Sequence, residues 1–184
     1  MKERDTRPQA ARNDMCSDRH AQPETDRFTA DDARYMQMAI DLSLSNVDAG
    51  GGPFGAVIVR DGEVLATGTN RVVPDNDPTA HAEVSAIREA CRRTGSFKLE
   101  GSTIYSSCEP CPMCLSAIYW AGIGRVCYGN TKSDAKAIAF DDSFIYDELS
   151  LDYDLRTVRC EHFMRDAALE AFRKWASKPD KVEY

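Results

Sequence analysis

Three cysteines, Cys108, Cys111 and Cys114, stand three residues apart in the segment SSCEPCPMCLSAIYW, residues 106–120. Thiols at this spacing form a disulfide, act as a redox pair or bind a metal ion. The chain has seven cysteines, an odd number, and its first residues lack the apolar core of a secretory signal. We therefore expect reduced thiols in a cytoplasmic protein, which disfavours the disulfide.

A zinc site requires a further ligand besides the cysteines. Cys111 and Cys114 fall at the start of a predicted helix, where they share one face and where the helix N-terminus favours thiolates. Zinc suits two thiolates and an imidazole. Of the three histidines, His20 lies in a polar N-terminal stretch and His162 has no cysteine or acid pattern around it, which leaves His81. The predicted metal ligands are His81, Cys111 and Cys114.

The number of protein ligands separates a catalytic zinc site from a structural one. Three ligands leave the fourth tetrahedral position open to water, as in catalytic sites. Cys108 would close the site if it also bound, but it precedes the turn at Glu109-Pro110, which ends a predicted strand and directs Cys108 elsewhere. A redox role for the Cys-Pro-Met-Cys pair stays open here, although it accounts for neither His81 nor Glu83.

Glu83 stands two residues after His81 and is the candidate catalytic acid and base. Zinc lowers the pKa of its bound water to roughly 7, which provides a zinc-bound hydroxide at neutral pH. Attack on an amidine-like carbon also requires protons for a ring nitrogen and for the departing ammonia. A carboxylate beside the metal can shuttle both protons. The alternative role for Glu83 is that of a first-turn acid that complements the helix dipole.

The elements that must position these residues alternate along the chain. Helix-type periodicity, alternating apolar residues and the hairpin dipeptide Asp61-Gly62 predict their order. The predicted segments are a helix (29–47), two strands (54–60 and 63–69), a helix from 81 to 95, a strand (102–107), a helix (111–122), a strand (125–129), a loop or short helix (140–149), a further strand LRTVRC (155–160) and a final helix (162–178). Such alternation predicts an α/β sandwich with some parallel strand pairing.

Composition narrows the classes of partner. The chain has 184 residues and a net charge of −7, and no apolar run approaches the roughly 18–20 residues that span a bilayer. Its nearest approach to a basic patch is Arg88, Arg92 and Arg93 in one predicted helix, which disfavours a nucleic-acid partner. Residues 1–27 are polar and almost without aliphatic side chains, so we expect a disordered tail. A membrane partner is not expected.

Two motifs carry a resemblance to a known family. His81-Ala82-Glu83 followed by Pro110-Cys111-Pro112-Met113-Cys114 is the signature of zinc nucleobase deaminases. More closely, the chain resembles the bacterial guanine deaminases of the cytidine-deaminase-like superfamily, and the likeness extends over residues 28–184. The matching stretches are GGPFGAVIV (51–59), NDPTAHAEV (76–84), SCEPCPMCLSAIYWA (107–121), FDDSFIYDE (140–148) and the terminal Glu183-Tyr184.

This resemblance implies a fold and a reaction. The fold is a three-layer α/β/α sandwich with a mixed central sheet of about five strands. The reaction is hydrolysis of guanine to xanthine and ammonia, with one zinc ion per subunit and a small-molecule nucleobase as substrate. A second acid assists at the base, and the matching position is Asp142, with the adjacent Asp141 as the alternative.

The resemblance also assigns residues to the substrate pocket. Phe54 is expected to offer an aromatic face to the purine, and Asn70 to bind the polar edge of the ring. The backbone N–H of Ala82 and the side chain of Trp120 are expected to line the pocket. Core packing or a place in a turn is the alternative role for Phe54, Asn70 and Trp120.

Family members exchange their C-terminal segment between two subunits, so the resemblance implies a homodimer. The exchanged segment corresponds to residues 155–184 here, although residues 164–170 match no family pattern. Tyr184 is expected to close over the partner's active site, with Phe172 and Trp175 in the dimer contact.

Two other functions remain open from the sequence. One is deamination of a related amino-purine, an amino-triazine, a nucleoside or adenosine in transfer RNA by the same chemistry. The other is a non-catalytic domain held together by a closed zinc site of Cys108, Cys111, Cys114 and His81.

Overall fold

The computed structural model describes residues 27–183. The predicted tail, apart from its last residue, and the predicted lid residue Tyr184 lie outside the described residues. The chain divides after Tyr35 into two units, residues 1–35 and 36–184. In the described part of the first unit, Asp32 N donates to Thr29 Oγ1 (3.1 Å) and Thr29 N donates to Asp32 Oδ2 (2.8 Å). This reciprocal capping fixes the start of the first helix.

The elements observed within residues 27–183 follow the predicted alternation closely. They are α1 (Ala30–Asp48), β1 (Gly55–Arg60), β2 (Glu63–Thr69), α2 (Val72–Asp75), α3 (Ala82–Thr94), β3 (Thr103–Cys108), α4 (Pro112–Ala121), β4 (Arg125–Asn130), α5 (Lys132–Ala137), α6 (Ser143–Ser150), a 3-10 turn (Tyr153–Leu155) and α7 (Arg165–Ala176). Among the described helices, none combines the length and the apolar character that crossing a membrane requires.

The second unit contains a mixed sheet with strand order β2-β1-β3-β4. Strand β1 runs antiparallel to both β2 and β3, whereas β3 and β4 are parallel. Asp61 and Gly62 connect β1 to β2 with φ angles of 52° and 80°. Positive φ at both central residues is typical of the tight hairpin turn that this dipeptide predicts. The predicted mixed α/β architecture is confirmed.

Helices cover both faces of this sheet. Gly55 and Gly68 occupy alternate positions in the pairing of β1 with β2, so they face opposite sides. A Cβ atom on Gly55 would lie 2.4 Å from the carbonyl oxygen of Ala39 in α1, and one on Gly68 would lie 2.3 Å from that of Ala82 in α3. Glycine therefore allows each helix to approach the sheet closely. Helices α1 and α3 form the outer layers of the predicted α/β/α sandwich.

Helices α3 and α4 bury their apolar faces against one side of the sheet. Three alanines of α3 are fully buried and give that helix a narrow contact face. The core cluster consists of Ala56, Ile58, Ala66, Ala82, Ala86, Ala90, Leu99, Ile104, Ile118, Ala121 and Ile123. This shared core fixes the two helices relative to each other, and with them the residues at their N-termini.

The sheet has four strands within residues 27–183, whereas about five were predicted. The predicted strand LRTVRC forms no strand. Leu155 and Val158 are exposed, and both the N–H and the hydroxyl of Thr157 donate to the Glu148 carboxylate (2.8 Å each). A segment without a buried face has nothing to select a strand register. That prediction was wrong for this reason.

Candidate metal centre and pocket

Two helix N-termini meet at one edge of the sheet. His81 is the N-cap residue of α3, in extended conformation (φ −69°, ψ 160°), and Cys111 holds the same position in α4 (φ −64°, ψ 169°). Neither side chain caps its own helix. Pro112 occupies the first helical position of α4, where its missing N–H costs nothing. Both side chains are therefore available for another partner.

The predicted metal ligands converge at this edge. His81 Nδ1 lies 3.6 Å from Cys111 Sγ and 3.5 Å from Cys114 Sγ, and the three ligand atoms lie within 4.8 Å of one another. Tetrahedral zinc, with bonds of about 2.0 Å to nitrogen and 2.3 Å to sulfur, requires nitrogen–sulfur separations of about 3.5 Å. His81, Cys111 and Cys114 thus form a metal site whose spacing and donor types fit zinc.

Cys108 does not belong to this cluster. Its thiol donates to the carbonyl oxygen of Thr131 (3.7 Å), and burial raises its pKa to about 11. In the part of the chain that the structure describes, the one group of histidine, cysteine or acidic residues able to hold a metal ion consists of the three residues above. Three protein ligands favour an open coordination position.

Glu83 lies in the first turn of α3 and is 6% exposed. The hydroxyl of Ser106 in β3 donates to Oε1 (3.0 Å), and the thiol of Cys114 donates to Oε2 (3.3 Å). Burial raises the pKa of Glu83. The structure therefore holds a carboxyl group of raised proton affinity directly beside the metal ligands, which is where a proton shuttle must lie.

The metal ligands also influence one another's protonation. A hydrogen bond from Cys114 lowers the pKa of Cys111 to about 4, and the same bond together with burial raises the pKa of Cys114. A hydrogen bond with Cys111 raises the pKa of His81. Cys111 is therefore the thiol of this pair that loses its proton more readily.

A pocket of about 430 Å³ opens onto the cluster. Its lining comprises Gly52, Phe54, Asn70, Val72, Val73, Pro78, His81, Glu83, Cys108, Glu109, Cys111, Lys132, Ala135, Ala139, Phe140, Asp141 and Asp142. Apolar side chains with a few polar groups at one end are typical of a small-molecule site. His81, Cys111 and Glu83 contribute polar groups to this lining, whereas the third ligand, Cys114, is fully buried.

Phe54 and Asn70 line this pocket, as the sequence predicted. The ring of Phe54 meets Phe140 edge to face, with 5.0 Å between ring centroids. Asn70 is 6% exposed, and its carbonyl oxygen accepts a hydrogen bond from Asn46 Nδ2 (2.8 Å). Its side-chain Oδ1 accepts one from Val72 N at 3.3 Å. The pocket thus has an aromatic wall and a fixed amide.

The two adjacent aspartates at the pocket edge have different surroundings. Asp141 pairs with Lys136 (2.9 Å), and hydrogen bonds from Ser143 and Lys136 lower its pKa to about 2. Burial raises the pKa of Asp142, and the negative charge of Cys111 adds to this effect. Asp141 is thus compensated by its own neighbours, whereas the negative charge of Cys111 reaches Asp142, and the role of Asp142 as the second acid stays a prediction.

Two predicted pocket residues do not belong to the lining formed by the described residues. Ala82 is fully buried between helix α3 and the sheet and does not line the pocket. Trp120 is 64% exposed near the C-terminal end of α4 and is also absent from the lining formed by the described residues. Tyr184 lies outside the described residues. Neither Ala82 nor Trp120 lines the pocket formed by the described residues of this chain.

Several lining residues were not predicted from the sequence. Phe140 and Glu109 lie inside the quoted stretches FDDSFIYDE and SCEPCPMCLSAIYWA, so a signal existed for both. Lys132 carried none: it is adjacent to Glu109 only in the fold, where its N–H donates to Glu109 Oε2 (3.1 Å). The apolar residues Val72 and Val73 on the short helix α2 also had no distinguishing pattern.

Comparisons with known proteins agree with this geometry. A family model described as the cytidine and deoxycytidylate deaminase zinc-binding region matches residues 29–130. The chain is 47% identical over 151 residues to the guanine deaminase of Bacillus subtilis (strain 168), covering 82% of this chain and 97% of that protein. The X-ray structure of guanine deaminase from Bacillus subtilis superposes with a TM-score of 0.80 and 46% identity, covering 83% of this chain and 98% of the other.

Two further matches bear on the substrate. A crystal structure of a variant protein in complex with 8-azaguanine matches with a TM-score of 0.57 and 32% identity, covering 74% of this chain and 70% of the other. A tRNA-specific adenosine deaminase of Aquifex aeolicus (strain VF5) is 33% identical over 146 residues, covering 78% of this chain and 93% of that protein.

Replacing single cysteines tests which of them bind the metal. We expect Cys108→Ser to retain one zinc ion per chain, because its thiol is bonded to Thr131 and not to the cluster. Cys111→Ser should lose at least about tenfold in zinc affinity, since it removes a direct ligand. Metal analysis after equilibration with a competing chelator measures both. Equal loss of zinc in the two variants would contradict the three-ligand site.

Proposed function

The chain belongs to the guanine deaminases of the cytidine and deoxycytidylate deaminase zinc-binding family, and from this we propose that it hydrolyses guanine to xanthine and ammonia. The observation that carries the proposal is the buried Glu83 carboxyl group, 3.3 Å from the Cys114 sulfur at the polar end of the pocket. The near full-length match to the Bacillus subtilis enzyme supports guanine as the substrate. The 8-azaguanine complex of a related protein supports a purine base in such a pocket.

His81, Cys111 and Cys114 would hold one zinc ion. When bound there, zinc supplies Lewis-acid activation of water at neutral pH. The donor set of one imidazole and two thiolates leaves room for the water and keeps the total charge of the site low. Cys108, with a pKa raised to about 11, stays a neutral thiol and leaves that position open.

Glu83 carries the protons of the reaction. It takes one proton from the attacking water and gives it to a nitrogen of the purine ring. It then takes the second proton from the same water oxygen and delivers it to the amino group, which leaves as ammonia. The water oxygen becomes the new carbonyl oxygen at C2, so atoms and charges balance. Ser106 holds Oε1, which fixes the carboxyl group while Oε2 remains on the side of the metal ligands.

The remaining lining residues orient the base. Phe54 and Phe140 provide apolar surface for the flat purine, and Asn70 binds its polar edge. Asp142 acts as the second acid at the substrate, close enough to the metal site to feel the charge of Cys111. These roles account for a pocket that is apolar along its walls and polar at its end.

The related tRNA-specific adenosine deaminases define the main alternative substrate. The net charge of −7 disfavours it, because binding an RNA backbone is strongly helped by positive charge on the protein. The surface near the pocket contains acidic residues Glu109, Asp141 and Asp142. Free guanine, which is uncharged at neutral pH, suits this environment better than a polyanion.

A homodimer with exchanged C-terminal segments belongs to the same proposal. Within Arg165–Ala176 no side chain is buried, although Phe172 and Trp175 are large and apolar. Such a helix gains stability by packing its apolar face on another surface. Trp120 is exposed on α4 and absent from the lining formed by the described residues, so in such a dimer it would line the partner's active site. The exchanged segment of this dimer is residues 155–184.

The compartment that we propose is the cytoplasm. The described cysteines Cys91, Cys108, Cys111, Cys114, Cys127 and Cys160 are all free thiols. A reducing environment keeps the two ligand cysteines available for zinc.

Ammonia release from a panel of bases tests the substrate. We expect the zinc-loaded protein to release ammonia from guanine and to leave adenine, cytosine, cytidine and guanosine largely unchanged. Ammonia release from guanosine or adenine but not from guanine would overturn guanine as the substrate. The proposed proton route through Glu83 would still stand. No turnover of any of them by protein with a full zinc content would contradict the enzymatic function.

Glu83→Gln provides the matched control for this assay. The amide keeps the size and the hydrogen bond from Ser106 but cannot accept the proton from water, so turnover should fall at least about 100-fold. Zinc content should stay at the wild-type level. A variant with nearly normal turnover would remove Glu83 from the mechanism.

Deleting residues 182–184 tests the exchanged segment. We expect the kcat/KM for guanine to fall at least about tenfold, because the predicted lid residue Tyr184 no longer closes the site. Light scattering should still report a mass twice that of one chain, since α7 is intact. Unchanged guanine turnover would contradict the lid, and a monomeric wild-type protein would contradict the dimer.

A further inference from the structure

The adjacent aspartates at the pocket edge differ in their hydrogen bonding. Asp141 Oδ1 accepts from the N–H of Ser143 (3.0 Å) and from its hydroxyl (2.6 Å), and Asp141 Oδ2 lies 2.9 Å from Lys136 Nζ. Asp142 occupies the N-cap position of α6, yet its side chain forms no capping hydrogen bond. Asp141 therefore satisfies the first N–H of the helix and leaves the carboxylate of Asp142 available to the pocket.

Lys136, Asp141 and Ser143, here called the clamp, join the end of one helix to the start of the next. Lys136 lies in the last turn of α5, and Ser143 is the first residue of α6. The connection between them carries Phe140 and Asp142, both of which line the pocket. The clamp thus closes the ends of the segment that presents these two side chains to the substrate.

The same connection contains an unfavourable backbone conformation. Ala139 has a φ of 72°, in the left-handed region that favours glycine, and Ala139 also lines the pocket. The N–H of Phe140 donates to the carbonyl of Ala135 (3.0 Å), which completes a helix-ending turn in which glycine is the usual residue. Such a conformation persists only where the surroundings hold it. The clamp supplies part of that restraint.

The exposure of the clamp limits what else it can contribute. The side chains of Lys136 and Asp141 are 60% and 41% exposed. Ion pairs at such exposure contribute little to the free energy of unfolding, because solvent screens them. Removing the ion pair of Lys136 and Asp141 should therefore leave the free energy of unfolding almost unchanged. Its main effect should be on the position of the segment between Lys136 and Ser143.

We propose that the clamp of Lys136, Asp141 and Ser143 positions Phe140 against Phe54 and Asp142 against the purine. The inference rests on the proposed deamination of guanine and adds three positioning residues to it. Asp141 acts through its neighbours and does not bind the substrate, which divides the two aspartates between structural and chemical roles. A displaced Asp142 carboxylate would weaken an interaction that depends on distances of about 3 Å.

The test compares Lys136→Met, Asp141→Asn and the double variant. We expect each single change to lower the kcat/KM for guanine by about tenfold, with zinc content and thermal midpoint as in the wild type. The double variant should lose no more than the stronger single variant, because both changes break the same interaction. Lys136→Arg, which keeps the ion pair, should restore most of the activity.

Glu89→Gln is the matched control. It makes the same change of carboxylate to amide in another exposed ion pair, that of Glu89 with Arg92 on α3, away from the pocket lining. Wild-type kinetics are expected for it. A loss in Asp141→Asn without any loss in Lys136→Met would overturn the clamp, because Asp141 would then act on the substrate itself. Wild-type kcat/KM in both clamp variants would overturn it as well.

Crystal structures separate this inference from the proposed function. If the wild-type protein does not deaminate guanine, the proposed function fails, and the positions of Phe140 and Asp142 still decide on the clamp. A shift of about 1 Å or more in the side chain of Phe140 or Asp142 in Asp141→Asn, relative to the wild type, supports the clamp, since such displacements are large for a preorganised site. If Phe140 and Asp142 keep their wild-type positions in that variant, the clamp is overturned.

Discussion

The convergence of two helix N-termini on one point is the constraint on which the rest of the structure depends. His81 begins α3 and Cys111 begins α4, and His81 Nδ1 lies within 3.6 Å of both ligand sulfurs. This separation holds only if both helices are fixed against the same sheet. Gly68 and the buried alanines of α3 allow that close approach. Packing of small residues against the sheet therefore sets the geometry of the metal site.

Burial of one carboxyl group gives the site its chemical character. Glu83 is desolvated, which would be costly for an isolated carboxylate, and its two oxygens are held by Ser106 and Cys114. Burial penalises the charged carboxylate, and this raises the pKa of Glu83. A group that must accept a proton and release it again benefits from this environment. Glu83 is also the first-turn acid of α3, so its charge can complement the helix dipole, the alternative role that the sequence left open.

Much of the site could be predicted because its residues belong to short local patterns. The spacing of Cys111 and Cys114, and of His81 and Glu83, fixes their places at helix starts, and simple alternation predicts the four observed strands. Lys132 contributes to the pocket through the path of the chain after β4, which depends on long-range packing and leaves no local pattern. For the same reason LRTVRC, whose residues resemble a strand, forms none without a buried face.

The central claim is a zinc ion held by three protein ligands with one position left for water. X-ray absorption spectroscopy of the purified zinc protein at the zinc edge tests it most directly, because sulfur and nitrogen or oxygen neighbours differ in distance by about 0.3 Å. Two sulfur neighbours and two lighter ones are expected. Three sulfur neighbours would place Cys108 on the metal, close the site and contradict the catalytic function.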